Sequence, residues 1–271
     1  MKWLRRITIF VFSVVLVAFV VFSYIEKKTE DTTIPIISVE TDSIEISIKD
    51  DESALLKGIT AYDEKDGDIS DKVLVESVSK FIKPGTFIVT YAVSDSDCHV
   101  SKAKRTVHYK DYTPPEFYMK RALVYSVDEE VNIRDAIGAR DCIDGDISDR
   151  VTITATDYVV NTQGVFTVSV QVANSMGDMI DLDVTVHVEG NETMAPEIQL
   201  EKSLIYIKKG EKPVFEDYLK EVTVNGVLME NYGLLISTNF DSEKEGTYNV
   251  HYYVSTAEGY EGHSILTVVV E

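Results

Sequence analysis

The chain has 271 residues, 44% hydrophobic and 27% charged, a balance that excludes wholesale disorder and leaves room for two or more small domains. Its net charge is −20, and because residues 1–28 carry +4 the remainder carries −24, which repels phosphate backbones and excludes nucleic acid as a partner. Two cysteines, Cys98 and Cys142, fall at non-equivalent positions of different repeats and read as free thiols; no Cys-x-x-Cys or Cys/His metal spacing occurs.

The N-terminus opens on the basic stretch Met1–Arg6, followed by an uncharged run from Ile7 to Ile25. Nineteen residues at ~1.5 Å rise make ~28 Å of helix, enough to cross a ~30 Å hydrocarbon core. The basic flank predicts a cytoplasmic N-terminus, with everything downstream exported. The apolar run is longer than a signal peptide needs, and no Ala-x-Ala cleavage site follows it, so residues 1–28 read as a cytoplasmic stub plus an uncleaved signal anchor. The polar stretch 29–34 reads as a linker.

From Pro35 onward the pattern is one of strands and turns. Ile44, Ile46 and Ile48 alternate with polar residues. Three longer strands begin at Gly85, Gly164 and Gly246. Counting from each glycine, positions +2 to +8 in steps of two are Phe87, Val89, Tyr91, Val93; Phe166, Val168, Val170, Val172; and Tyr248, Val250, Tyr252, Val254. Period two, with mostly polar residues between in the second and third copies, predicts antiparallel strands with one buried and one wet face. Each strand ends in a polar hairpin and is followed by a closing strand, the second of which points Ile180, Leu182, Val184, Val186 and Val188 inward.

The eleven residues Asp63–Val73 return as Asp141–Val151, both reading D-x-x-D-G-D-I-S-D-[K/R]-V at an offset of 78. Pro35, Pro115 and Pro196 step by 80 and 81, and the three glycines by 79 and 82. Such a period means domain-sized repeats. We therefore expect three modules, at 35–110, 114–189 and 195–271, each with its own core and joined by short linkers. The third is degenerate: Val222–Val227 keeps a tight turn as Asn225-Gly226 and drops the carboxylates.

The acidic motif, followed by P-G-T-[FY]-x-V-x-[YV]-x-V, resembles the bacterial immunoglobulin-like domain first named from a pesticidal crystal protein, akin to hyalin repeats. The resemblance covers most of 35–110 and 114–189 and the C-terminal half of 195–271. It implies tandem β-sandwiches on a bacterial surface or secreted protein, and no activity of its own. Cys98 departs from the pattern, standing where the family has a hairpin glycine. Independently of the resemblance, short alternating strands with regular turns argue for sandwiches of about seven strands, so the expected fold class is all-β: three tandem immunoglobulin-like sandwiches after one transmembrane helix.

The chemistry is sparse. There is no G-x-S-x-G, H-E-x-x-H or phosphate-cradling glycine loop. His99, His108, His187, His251 and His263 read as surface strand or hairpin residues, and no catalytic residue is expected. The carboxylates Asp63, Asp66, Asp68 and Asp141, Asp144, Asp146 carry the one cofactor candidate, Ca²⁺, which takes 6–8 oxygen ligands. The competing reading is that they cap backbone N–H groups of a tight turn. The chain is thus expected to be a single-pass membrane protein with extracellular repeats, a non-enzymatic stalk or adhesion module with a protein or cell-wall carbohydrate partner. The alternative is an accessory subunit of an envelope enzyme or secretion complex.

Overall fold

A computed structural model describes residues 2–29, 32–191 and 194–271. Met1 and part of the expected linker, Glu30 and Asp31, lie outside them. Helix α1 (Lys2–Thr29) contains an apolar stretch, Trp3–Tyr24, with a mean hydropathy of 2.6 and no part of it buried, which is long and apolar enough to cross a membrane.

Among the described residues each repeat then holds seven strands. In the first they are β1 (Ile36–Val39), β2 (Ser43–Ile46), β3 (Ile59–Asp63), β4 (Gly67–Asp68), β5 (Leu74–Val78), β6 (Thr86–Ser94) and β7 (Val100–Tyr109). The second has β8 (Glu116–Met119), β9 (Val124–Ser126), β10 (Ile137–Asp141), β11 (Gly145–Asp146), β12 (Thr152–Thr156), β13 (Gly164–Ala173) and β14 (Met179–Glu189). The third has β15 (Glu197–Leu200), β16 (Leu204–Ile207), β17 (Leu219–Val224), β18 (Val227–Leu228), β19 (Gly233–Thr238), β20 (Gly246–Ser255) and β21 (Glu261–Val270).

All three share one plan. A three-stranded sheet has the order β1-β3-β4, β8-β10-β11 or β15-β17-β18; a four-stranded sheet has the order β2-β7-β6-β5, β9-β14-β13-β12 or β16-β21-β20-β19. Pairing is antiparallel except where the short second strand lies parallel to the last. The chain enters on one sheet and crosses to the other after four residues. It thereby supplies one edge strand to each sheet. The third repeat follows this plan throughout, including the half in which its sequence departs from the family pattern.

Alternation places the core as expected. Phe87, Val89, Tyr91 and Val93 are buried, as are Val168, Val170, Val172 and Val250, Tyr252, Val254; Phe166 and Tyr248, at the strand starts, are half-buried. Each fully buried valine contributes roughly 1.5–3 kcal/mol. A tyrosine in the core needs a partner for its hydroxyl. Tyr91 donates to the carbonyl of Leu55 (2.7 Å) and Tyr252 to that of Phe215 (2.7 Å). Both carbonyls belong to short helical turns, Leu55 to α2 (Ser53–Leu56) and Phe215 to a 3₁₀ turn (Phe215–Tyr218). The second repeat has Val170 in that position, and its turn α3 (Ile133–Ala136) is capped by Asn132, whose side chain accepts the Asp135 N–H. These single turns are helix that strand periodicity does not predict.

The third repeat has its own core cluster around Val250, Tyr252 and Leu266, yet the last two repeats are joined by packing. The first repeat is a compact unit, but the second and third fall in one unit. Leu204 belongs to the second repeat's core, with Tyr206 and Val269 packed against it. The hydroxyl of the half-buried Tyr206 accepts the Phe117 N–H (3.1 Å). Four-residue strands leave apolar edges of β8 and β16 uncovered within their own sandwiches, and packing together buries them.

Candidate functional site

The acidic motif folds the same way in both copies, and each of its letters has a structural task. The carboxylate of Asp63 accepts the N–H groups of Lys65 and Asp66, both at 2.9 Å; Asp141 does the same for Ile143 and Asp144 at the same distances. Both aspartates are nearly inaccessible, at 1% and 7%. Gly67 and Gly145 follow with φ of 75° and 73°, a region that costs other residues about 1–2 kcal/mol. Asp68 and Asp146 accept the N–H and hydroxyl of Ser70 and Ser148. Those hydroxyls in turn accept the Ala61 and Ala139 N–H groups, tying the turn to β3 and β10. Ile69, Val73, Ile147 and Val151 plug the core beneath.

The remaining aspartates reach the hairpin at the same pole. Asp66 accepts the N–H (2.7 Å) and hydroxyl (2.8 Å) of Ser96; Asp144 accepts those of Ser175 (2.6 and 2.7 Å) and pairs with Arg150. Lys65 pairs with Asp97. Asn174 donates to Asp141 (3.1 Å). The segment entering each repeat also touches this pole: the Thr33 hydroxyl donates to Asp63 (3.4 Å), and Tyr112 donates to Asp178 while accepting from Asn174.

Electrostatics follow the contacts. The Ser96 hydroxyl and N–H hold Asp66 below the usual carboxylate range, and Ser70 and Ser148 do so for Asp68 and Asp146. Burial pushes Asp144 up, but the Ser175 hydroxyl and N–H together with Arg150 outweigh it. The six predicted calcium ligands sit at matched places, each with at least one oxygen engaged by backbone or serine donors. In the third repeat the loop is the two-residue turn Asn225-Gly226, both left-handed at φ 51° and 76°, closed by the Val224–Val227 pair.

The hairpins opposite match as well. The residue three before the hairpin's left-handed position is Asp95, Asn174 or Thr256, and its side chain accepts N–H groups of its own turn. Gly177 and Gly259 take the left-handed position at φ 86° and 89°. Cys98 takes it in the first repeat at φ 70°, so the departure from the family pattern changes the residue and keeps the backbone. Both cysteines are free.

A second constellation lies where the second repeat meets the third, and sequence reading missed it by placing every histidine on an open surface. On β14 the core takes Val184, Val186 and Val188, so Thr185, His187 and Glu189 face outward. On β20 the core takes Val250, Tyr252 and Val254, so Asn249, His251 and Tyr253 face outward, and His263 lies across the hairpin opposite Tyr253. The two outward faces meet: Asn249 donates to the Thr185 hydroxyl (2.8 Å). The His187 ring stands 5.3 and 5.2 Å from those of His251 and His263. His263 Nε2 is 3.0 Å from His251 Nδ1, its Nδ1 donates to Glu189, and its ring lies parallel to Tyr253 at 4.6 Å.

Burial and the neighbouring histidines push His187 down to about 4, and burial and His263 push His251 down. The hydrogen bond from His263 holds Glu189 below its usual range. Among the described residues, His187, Glu189 and His263 are the group whose donor atoms come within 4.8 Å of one another. The outward phase of His187 and Glu189 was legible in the alternation. Their convergence with His263 was not, because it depends on which outer faces pack.

Residues 41–108 match the family described as "Bacterial surface protein, Ig-like domain". No curated protein matches the chain. Among solved structures it is similar to two from Clostridium perfringens ZmpB. One holds the M60 catalytic domain with the CBM51-1 and CBM51-2 domains (16% identity, 89% of this chain and 31% of that chain, TM-score 0.24). The other holds CBM51-2 in complex with GlcNAc and INT domains (16% identity, 88% and 42%, TM-score 0.24). It is also similar to Drosophila N-cadherin EC1-4 (13% identity, 89% and 67%, TM-score 0.24). The chain spans less than half the length of either Clostridium chain.

Proposed function

We propose that this protein is held in a bacterial membrane by α1 and displays its three Ig-like repeats outside the cell as an interaction module without catalysis. The observation that carries this reading is the match of 41–108 to a domain of bacterial surface proteins. The unburied apolar helix supports the anchor, and Lys2, Arg5 and Arg6 before it favour a cytoplasmic N-terminus. The motif that looked most like chemistry is occupied with closing its own turn and holding the neighbouring hairpin, which favours a scaffold over an active site. The partner we propose is a protein or a cell-wall carbohydrate, and we assign the repeats to the pesticidal-crystal-protein type of Ig-like domain by their acidic motif.

Protease treatment of intact cells tests the topology. The expected result is loss of the C-terminal repeats with a small fragment of α1 retained in the membrane. A mature protein beginning at Tyr24 in the medium would overturn the anchor. For the interaction role, surface crosslinking should capture an envelope protein, or the chain should co-sediment with purified cell-wall sacculi. Failure of both would remove that role.

A further inference from the structure

Three histidines and a glutamate on facing sheets do more than fill a seam. Two imidazoles and a carboxylate are the donor set of zinc-class ions, whereas calcium and magnesium take oxygen ligands alone. Tetrahedral zinc with ~2.0–2.1 Å bonds places its ligands roughly 3.4 Å apart. The donor atoms of His187, Glu189 and His263 already lie within 4.8 Å of one another, near the spacing such an ion requires. The three come from rigid strands of two different repeats, His187 and Glu189 from β14 and His263 from β21.

We propose that His187, Glu189 and His263 bind one divalent transition-metal ion of the zinc class, and that the ion fastens the second repeat to the third. The chemistry balances without a further reactant. His263 Nδ1 carries the proton now shared with Glu189, since an ionised carboxylate can only accept. On binding, that proton leaves and the metal takes its place, bonded to both groups. The proton passes to His263 Nε2, so the neutral ring changes tautomer, and Nε2, 3.0 Å from His251 Nδ1, then donates to it and orients the ring for its metal bond. His251 is thus a positioning residue. A path for the ion exists: Glu189, Tyr253 and His263 line a cleft of about 810 Å³ that also holds Arg121, Glu129 and Glu261. His263 is only 6% exposed at its side chain and Glu189 is 42% exposed, so the ion would enter past the carboxylate.

The test uses the full chain in detergent, stripped with a chelator and titrated with Zn²⁺ by calorimetry. One ion per chain is expected, with a rise in melting temperature of the unit formed by the last two repeats. Co²⁺ in the unmodified chain should give the intense visible bands of a tetrahedral site, a readout that needs no variant. His187→Gln and His263→Gln should weaken binding at least a hundredfold, and His251→Phe by about ten- to a hundredfold. His99→Gln should change nothing. A chain that takes no Zn²⁺, an octahedral Co²⁺ spectrum, or an affinity that falls with Asp63→Asn and not with His263→Gln would each overturn the proposal.

Discussion

The turn Asp63–Gly67 and the turn Asn225-Gly226 occupy the same place in their sandwiches, yet they are closed by different means. In the first, a buried carboxylate gathers two backbone N–H groups, a glycine takes the left-handed position, and a second carboxylate reaches a hairpin from the other sheet. In the third repeat two left-handed residues make the reversal by backbone geometry alone. Beyond the turn, the strands agree: Met229 donates to Val222 as Ile69 does to Ala61. A sandwich edge therefore needs the reversal and not the acid. What the acid adds is a clasp across the pole, where the two sheets end and the preceding segment enters.

The largest expected effect that separates the two turns comes from removing the buried carboxylate. Asp63→Ala or Asp141→Ala leaves two N–H groups without acceptors, at about 1–3 kcal/mol each when buried, so a loss of about 2–4 kcal/mol is expected in that repeat. Asn225→Ala should cost only about 1 kcal/mol, the strain of a left-handed alanine. Hydrogen exchange in the full chain, read repeat by repeat, measures both. Equal losses would mean the carboxylate does no more than the backbone turn.

Acid should divide the repeats in the same direction. Asp66, Asp68, Asp144 and Asp146 titrate below the ordinary carboxylate range when folded, so the unfolded chain takes up protons first as pH falls. Their stabilisation is complete above about pH 4 and is lost as pH drops through the folded values. Exchange rates near the first two turns should therefore rise between about pH 4 and pH 2, while those around Asn225 hold steady. A uniform response would sink the clasp.

A smaller gain is expected from Cys98→Gly. Cys98 holds φ 70° where the other two hairpins have glycine, and relieving it should stabilise the first repeat by about 1 kcal/mol in urea denaturation. The same hairpin carries Ser96, so a tighter hairpin should also slow exchange of the Ser96 N–H. The smallest effect is that of millimolar Ca²⁺. With each of these aspartates already accepting N–H or hydroxyl donors, no change in melting temperature is expected. A rise confined to the first two repeats would instead establish the cation role expected of these residues from the sequence.

The sequence by itself determined what is local. Strand phase follows from a period of two, and so Val89, Val168 and Val250 could be placed in cores without coordinates. The turn was legible because Asp63 and Asp141 bond to backbone N–H groups two and three residues on and glycine takes the left-handed position that follows. The membrane-length helix follows from an uncharged run. Two features were beyond reach because they depend on how whole faces meet. Leu204 lies on a strand of the third repeat, and only packing places it in the core of the second. His187, His251 and His263 read as three separate surface residues on three strands. Alternation states that they point outward. What they point at is set by the joint around Leu204 and Tyr206, where apolar edges too short to be covered within one sandwich bury each other and bring the two outer sheets into contact.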